Sequence, residues 1–265
     1  MKKFLITLCA ICISVFAFAQ TETLNWYIGD DVYATTTCES GNDILLPTTP
    51  TKRGYTFKGW VSYIPIEYLE STGTQYIDTG VIYSSANHKS VVRFSHVDPG
   101  VDPAPWWVWG SDHGLSIEGD RSGSVALKSN NSILGIGIGN TPGGGSPYTI
   151  PNPTDPITVD IETKDNNTFS VSVNGVPTYT NVSFTGSCIG TFSETLFGIM
   201  TNTGVIRTTS TKIYAAKLYD NDILVRDFIP VLDGKGTPCM YDKVEEKFYY
   251  NAGTGQFIAG PVIGE

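Results

Sequence analysis

Apolar and polar residues alternate along most of this chain in short runs, and they do not recur every three or four positions. KSVVRFSH, ITVDIETK, TFSVSVNG, TKIYAAKLYD and ILVRDFIPVL each carry apolar side chains at alternate positions, the pattern of a strand with one buried face. WWVWG, SVALK, SILGIGIG, TLFGIMTN, CMYDKV and KFYYNAG add shorter runs of β-prone residues. Nothing between Thr21 and Glu265 keeps the apolar spacing of an amphipathic helix over three turns. Tight-turn residues stand between neighbouring runs at Asp165-Asn166-Asn167, Asn174-Gly175 and Asp220-Asn221-Asp222. Many short antiparallel strands joined in this way predict an all-β sandwich or barrel. Residues 139–156, GNTPGGGSPYTIPNPTDP, are too rich in Gly and Pro for a strand and predict a long exposed loop.

The parity of the pattern assigns faces. In 165–180 Phe169, Val171 and Val173 share one face of a hairpin, and Ser170, Ser172 and Asn174 the other. Further on, Ile213, Ala215 and Lys217 fall on one parity and Tyr214, Ala216 and Leu218 on the opposite one. In the return strand Arg226 and Asp227 point to opposite faces, so they cannot act as one catalytic pair. Arg226 is therefore expected to be structural, bonded to a carboxylate or to carbonyls. The stretch VRDFIPVLDGKGTPCMYD then closes a sheet.

Two segments resemble known families. Pro47, Pro50, Thr51, Gly54, Tyr55, Phe57, Gly59 and Trp60 reproduce a Pro-x-x-Pro-Thr-x-x-Gly-Tyr-x-Phe-x-Gly-Trp run. It resembles the internalin-type B repeat, or Listeria-Bacteroides repeat, a small β-grasp-like module of bacterial surface proteins. That resemblance implies surface presentation. YLESTGTQYIDTG, the VNG hairpin and KIYAAKLYDNDILVRDFIPVLDGKGTPCMYDKVEEKFYYNAGTGQFIAG are similar to the LamG-like, concanavalin A-like jelly-roll family. The expected organisation is a signal peptide at 1–19, a B-repeat-like module at 20–62, an antiparallel jelly-roll β-sandwich at 63–260 and a tail at 261–265.

The amino-terminal segment bears on location. Lys2 and Lys3 precede an apolar run from Phe4 to Phe18, and Ala17-Phe18-Ala19 has the small-x-small form of a cleavage site. A cleavable signal peptide, cut after Ala19, predicts a secreted or cell-surface product with no membrane span in the mature chain. Cleavage removes two Lys and no acid from a chain of 17 Lys+Arg and 26 Asp+Glu, so the net charge of −9 becomes more negative. That excludes nucleic acid as an expected partner. Cys38, Cys188 and Cys239 remain after cleavage, an odd number, so at least one is unpaired and a Cys188 to Cys239 bridge stays open.

Catalytic signals are missing. Glycoside hydrolysis needs two carboxylates across the sugar bond, and the nearest approach is Glu118-Gly119-Asp120, which reads as a solvated turn. His88, His96 and His113 match no metal-ligand spacing, and there is no Gly-x-Ser-x-Gly elbow. The expectation is a non-catalytic protein without a cofactor. Some members of the lectin-like family bind Ca²⁺ at a sandwich edge, which makes Asp112 and Asp120 the metal candidates here. PAPWWVWGSDHG places Trp106, Trp107 and Trp109 in four positions, with Trp107 and Trp109 sharing a face. An exposed indole stacks on the C–H face of a sugar, so Trp106, with Asp112 and His113 beside it, forms the candidate ligand site. The alternative puts Trp107 and Trp109 in the core. The expected function is binding, of a carbohydrate or a surface protein. The competing reading is an adhesion spacer with no small ligand.

Overall fold

The computed structural model describes residues 21–263 of the 265, apart from 29–30, 40–41, 55, 58, 85, 98–105, 112–125, 131–132, 138–147, 150–151, 153, 165–167, 184–190, 207 and 209. The chain divides into two compact units, the first ending at Val61 and the second beginning at Ser62.

The first unit is a hairpin with a returning segment. β1 (Thr21–Ile28) and β2 (Asp31–Glu39) pair antiparallel, with a bulge between Trp26 and Tyr27. Trp26 donates its indole N–H to Thr36 Oγ1 at 2.9 Å, and the Tyr33 hydroxyl donates to the Thr48 carbonyl at 3.2 Å. Gly59 takes φ +124, a value that L side chains avoid, and the chain there delivers Trp60 to three aromatic neighbours. Its ring centroid lies 5.0 Å from Trp26, 5.2 Å from Phe57 and 5.8 Å from Tyr33. Aromatic contact is how so small a unit gains enough burial to hold together.

The second unit is built on one large sheet. Its strands are β3 (His88–His96), β4 (Ile157–Lys164), β5 (Thr168–Val173), β6 (Val176–Ser183), β7 (Thr211–Asp220), β8 (Ile223–Asp233), β9 (Pro238–Asp242) and β10 (Lys247–Tyr249). They run in the order β6-β5-β4-β3-β7-β8-β9-β10, every pair antiparallel. Leu69–Glu70 pairs with β7 and with Ile258–Ala259, while Tyr63–Pro65 pairs with β8. Ile66 is bridged antiparallel to Val262. Smaller sheets accompany this one. One joins Ile77–Asp78, Thr195–Leu196 and Trp109–Gly110; another joins Trp106–Trp107, Ala126–Asn130, Ile133–Gly137 and Tyr148–Thr149. The architecture is the all-β, antiparallel jelly-roll sandwich expected from the alternation.

Val92, Phe94, Val159, Ile161, Val171, Ile213, Leu218 and Phe228 from the large sheet meet Ile77, Trp109, Leu196 and Phe197 in one core. Phe94 and Trp109 touch edge to face at 6.2 Å. Each such side chain taken fully out of water stabilises the fold by about 2 kcal/mol. In β4, Ile157, Val159, Ile161 and Thr163 turn inward while Thr158, Asp160 and Glu162 turn outward, the period of two seen in the sequence. β5 behaves as expected, with Phe169, Val171 and Val173 inside. Asn174 and Gly175 carry φ +50 and +76 between β5 and β6, and Asn221 and Asp222 carry φ +51 and +62 between β7 and β8. Two consecutive positive φ values make the turn whose twist matches a hairpin.

Two expectations need correction. The parity expected for β7 does not persist: Ile213 is buried, but so are Ala216 and Leu218. A bulge between Ile213 and Ala215 inserts one residue relative to β3, which exchanges the faces of everything beyond it. The 139–156 segment is not all loop, since Tyr148–Thr149 pairs with Ile133 and Leu134. Cys38 and Cys239 are free thiols, and Cys188 lies outside the described residues.

Candidate functional site

The tryptophan cluster divides. Trp109 is fully buried, which is the core alternative. Trp106 and Trp107 form a short strand opposite Ser129 and Lys128, and only their backbone is described. Asp112, His113 and Asp120 lie outside the described residues, as does Glu118. His88 and His96 are buried, and burial alone takes the His96 imidazole down to about 4. Among the described residues no three His, Cys, Asp or Glu side chains converge as metal ligands do.

The outward face of β3 and β7 brings together a different set. On β3, Arg93 and Ser95 flank the inward Phe94. On β7, the bulge leaves Tyr214 on the outward side, where its hydroxyl shares a 3.2 Å hydrogen bond with Ser95 Oγ. The Arg93 guanidinium lies over the Tyr214 ring, 5.1 Å from its centroid. Tyr68 meets Tyr214 edge to face at 5.5 Å, and Lys212 Nζ stands 4.3 Å from the Tyr68 ring centroid and 3.7 Å from Glu70. Burial pulls the Lys212 ammonium down, but Tyr68, Glu70 and Tyr214 outweigh it and hold the group above its ordinary value. Gly260 backs the patch: its N–H donates to the Tyr68 carbonyl at 2.9 Å. A Cβ at that position would lie 2.8 Å from the Tyr68 nitrogen and 3.0 Å from its ring. Two phenols, a guanidinium, an ammonium and a carboxylate are thus held on one face by ring contacts, an ion pair and the hydrogen bond to Ser95. Such a set donates to and accepts from vicinal hydroxyls.

Arg226 occupies the edge of the core and behaves as the parity argument required. Its Nε donates to the Thr79 carbonyl at 3.0 Å and its Nη1 to the Val225 carbonyl at 2.7 Å. Glu245 lies 2.8 Å from Nη1, and the fully buried Asp242 lies 3.6 Å from Nε. Asp227 is on the other face, 3.6 Å from Lys217.

A buried carboxyl went unseen in the sequence. Glu194 has no exposed surface and accepts hydrogen bonds from the Tyr83 hydroxyl and, at 3.1 Å, from Ser90 Oγ. Tyr83 in turn stacks on His88 at 4.0 Å. Burial pushes the Glu194 carboxyl up to about 7, against the opposing hydrogen bonds from Tyr83 and Ser90. Burial and the neighbouring carboxylate also raise the Tyr83 phenol well above its usual range. Glu194 is a buried acid of the core. The available signal was its position, directly ahead of the apolar run TLFGIM.

A cleft of about 220 Å³ opens beside His88, Lys89, Glu162, Thr163, Lys164 and Asp222. It is smaller and more polar than the 300–1,000 Å³ apolar clefts that enclose small ligands, so the open sheet face is the stronger candidate.

A family model described as the Listeria-Bacteroides repeat domain matches residues 26–86, running past Val61 into the second unit. No curated protein matches the chain. Among solved structures the chain is similar to a SAP-like pentraxin from Limulus polyphemus, at 9% identity over 75% of this chain and 90% of that one, TM-score 0.40. It is also similar to sheep galectin-11 in complex with glycerol, at 11% identity over 52% of this chain and 93% of that one, TM-score 0.32. A mutant Trypanosoma rangeli sialidase displaying trans-sialidase activity is matched at 15% identity and TM-score 0.39, over 52% of this chain and 21% of that one. The chain therefore spans about a fifth of that sialidase's length. These likenesses are distant, and none assigns a role to a residue here. Among the described residues no helix is long and apolar enough to cross a membrane.

Proposed function

We propose that this is an exported, non-catalytic binding protein whose LamG-like second unit takes a carbohydrate on the outward face of its large sheet. The supporting observation is the arrangement of Tyr68, Tyr214, Arg93, Lys212 and Glu70, held in fixed positions by mutual contact. Preorganised polar tips around aromatic rings lose little side-chain entropy on binding, and their hydroxyl, cationic and carboxylate groups match the donors and acceptors of a sugar. Arg226 and Glu194, two charged groups built into the fold, hold the sandwich together and do no chemistry. The first unit, with its repeat match at 26–86, serves to present the second at a surface.

A glycan array probed with the full chain tests this reading. Saturable binding that falls at least tenfold in Tyr214→Ala, and is unchanged in Trp106→Ala, supports the sheet face. Binding that depends on Trp106 and not on Tyr214 moves the site to the tryptophan cluster, and its loss on chelation adds Ca²⁺ near Asp112 and Asp120. A blank array on folded protein favours the spacer reading.

A further inference from the structure

Four cations project from adjacent strands on the outward face: Lys89 and Arg93 on β3, Lys212 and Lys217 on β7. Three of them have a carboxylate beside them. Lys89 lies 2.6 Å from Asp160, Lys212 3.7 Å from Glu70 and Lys217 3.6 Å from Asp227. Arg93 differs. Its cross-strand neighbours are Thr158 on β4 and Ala215 on β7, both small and uncharged. Sheets ordinarily set opposite charges across from each other, and in a chain with 26 acidic residues against 17 basic ones an exposed Arg flanked by Thr and Ala goes against the surroundings. Among the described residues its partner is the Tyr214 ring, with the guanidinium 5.1 Å from the centroid. That ring is itself tied to Ser95. A guanidinium held 5.1 Å over a ring centroid satisfies none of its N–H donors through that contact, and its fork of donors matches an oxyanion with two parallel bonds. The small side chains on either side leave room for one.

We propose that the ligand of this face is an acidic saccharide, whose carboxylate or sulfate group is received by Arg93. The inference rests on the glycan-binding reading of the same face and narrows it. Lys212, close to Glu70 and Tyr68, contacts the sugar hydroxyls, and Arg93 selects for the charge. Attraction to a negatively charged ligand by a negatively charged protein has to be local, so the selectivity comes from this one guanidinium.

The test uses the full chain on sets of saccharides that share one backbone and differ in being neutral, uronate-bearing or sulfated. Wild type, Arg93→Ala and Arg93→Lys are compared at fixed ionic strength, with thermal midpoints confirming that each is folded. The expected result is binding to an acidic member at least tenfold stronger than to its neutral counterpart. Arg93→Ala removes that preference, and Arg93→Lys, which keeps the charge without the fork, restores less than a third of the affinity. Whether the uronate or the sulfated set responds identifies the oxyanion. Equal binding of neutral and acidic members, insensitive to Arg93→Ala and lost in Tyr214→Ala, overturns the acidic selectivity and leaves the glycan reading standing. Binding of no saccharide, or of an acidic peptide in preference to all of them, overturns both.

Discussion

Glu194 gives stability a pH dependence of unusual sign. Its carboxyl titrates near 7 in the folded protein against an ordinary 4.5, so between those values the native state keeps a proton that the unfolded chain has released. This contribution is full below about pH 4.5 and is lost as pH rises through about 7, and the gap corresponds to about 3 kcal/mol. Glu194→Gln keeps one acceptor oxygen for the Tyr83–Ser90 pair, which bonds the two carboxyl oxygens separately, and turns an NH2 donor to the other, without the titration. In urea denaturation it is expected to gain on wild type as pH rises from about 4.5 to about 8, by about 3 kcal/mol in all. Parallel stability profiles for the two proteins would show that the acid is not perturbed. Arg226 presents the opposite case, a charge that must stay. Arg226→Ala leaves the buried Asp242 carboxylate without its cation and the Thr79 and Val225 carbonyls without their donor, at an expected cost of about 3 kcal/mol. Arg226→Lys, with one ammonium in place of a fork, should recover less than half of it in the same urea assay. The role of Arg226 was legible because parity alone separated it from Asp227. Glu194 was not, because its burial depends on Tyr83 and Ser90, which are more than 100 positions away in sequence.

At the level of elements, alternation revealed which strands exist and hid where they change face. β4 and β5 keep one register against each other and alternate without a break, so their inner and outer residues could be read directly. β7 does not, because a bulge costs only one residue and leaves no mark in composition. The patch was hidden with it: Tyr214 shares a parity with the buried Ala216 and Leu218, and only the bulge sets it outside. Of the three clustered tryptophans Trp109 lies in the core, and the sequence could not say so because a large aromatic residue serves a core as well as a surface. Gly260 is where the site and an edge strand are coupled. Gly260→Ala drives a methyl group into the Tyr68 backbone and ring and should destabilise the unit by about 2 kcal/mol. Hydrogen exchange should quicken at Gly260 and at Glu67, whose amide donates to the Pro261 carbonyl. Unchanged exchange at both amides would mean that Tyr68 swings aside at no cost, and that it is not held as described.

For the second unit as a whole, Cys239 is a reporter of cooperativity. Its thiol is fully buried on β9, and burial, reinforced by Asp233, pushes it up to about 12, so it should resist alkylation until the sheet opens. In a urea series its labelling by iodoacetamide, read by mass spectrometry, is expected to track unfolding followed by tryptophan fluorescence, while the half-buried Cys38 of the first unit labels without denaturant. Labelling of Cys239 ahead of the fluorescence change would mark β9 and β10 as a separately opening edge. The bridge between Ile66 and Val262 has another consequence. Paired Cα atoms stand about 5 Å apart, and the Pro65 carbonyl accepts the Ile263 N–H while Glu67 donates to Pro261, so residues 65–67 and 261–263 run side by side. A spacer lengthens a tether by being held at opposite poles, with tension running through its body. Here a pull on the two strands would peel them apart one hydrogen bond at a time, and the sandwich would add almost nothing to the reach of the chain.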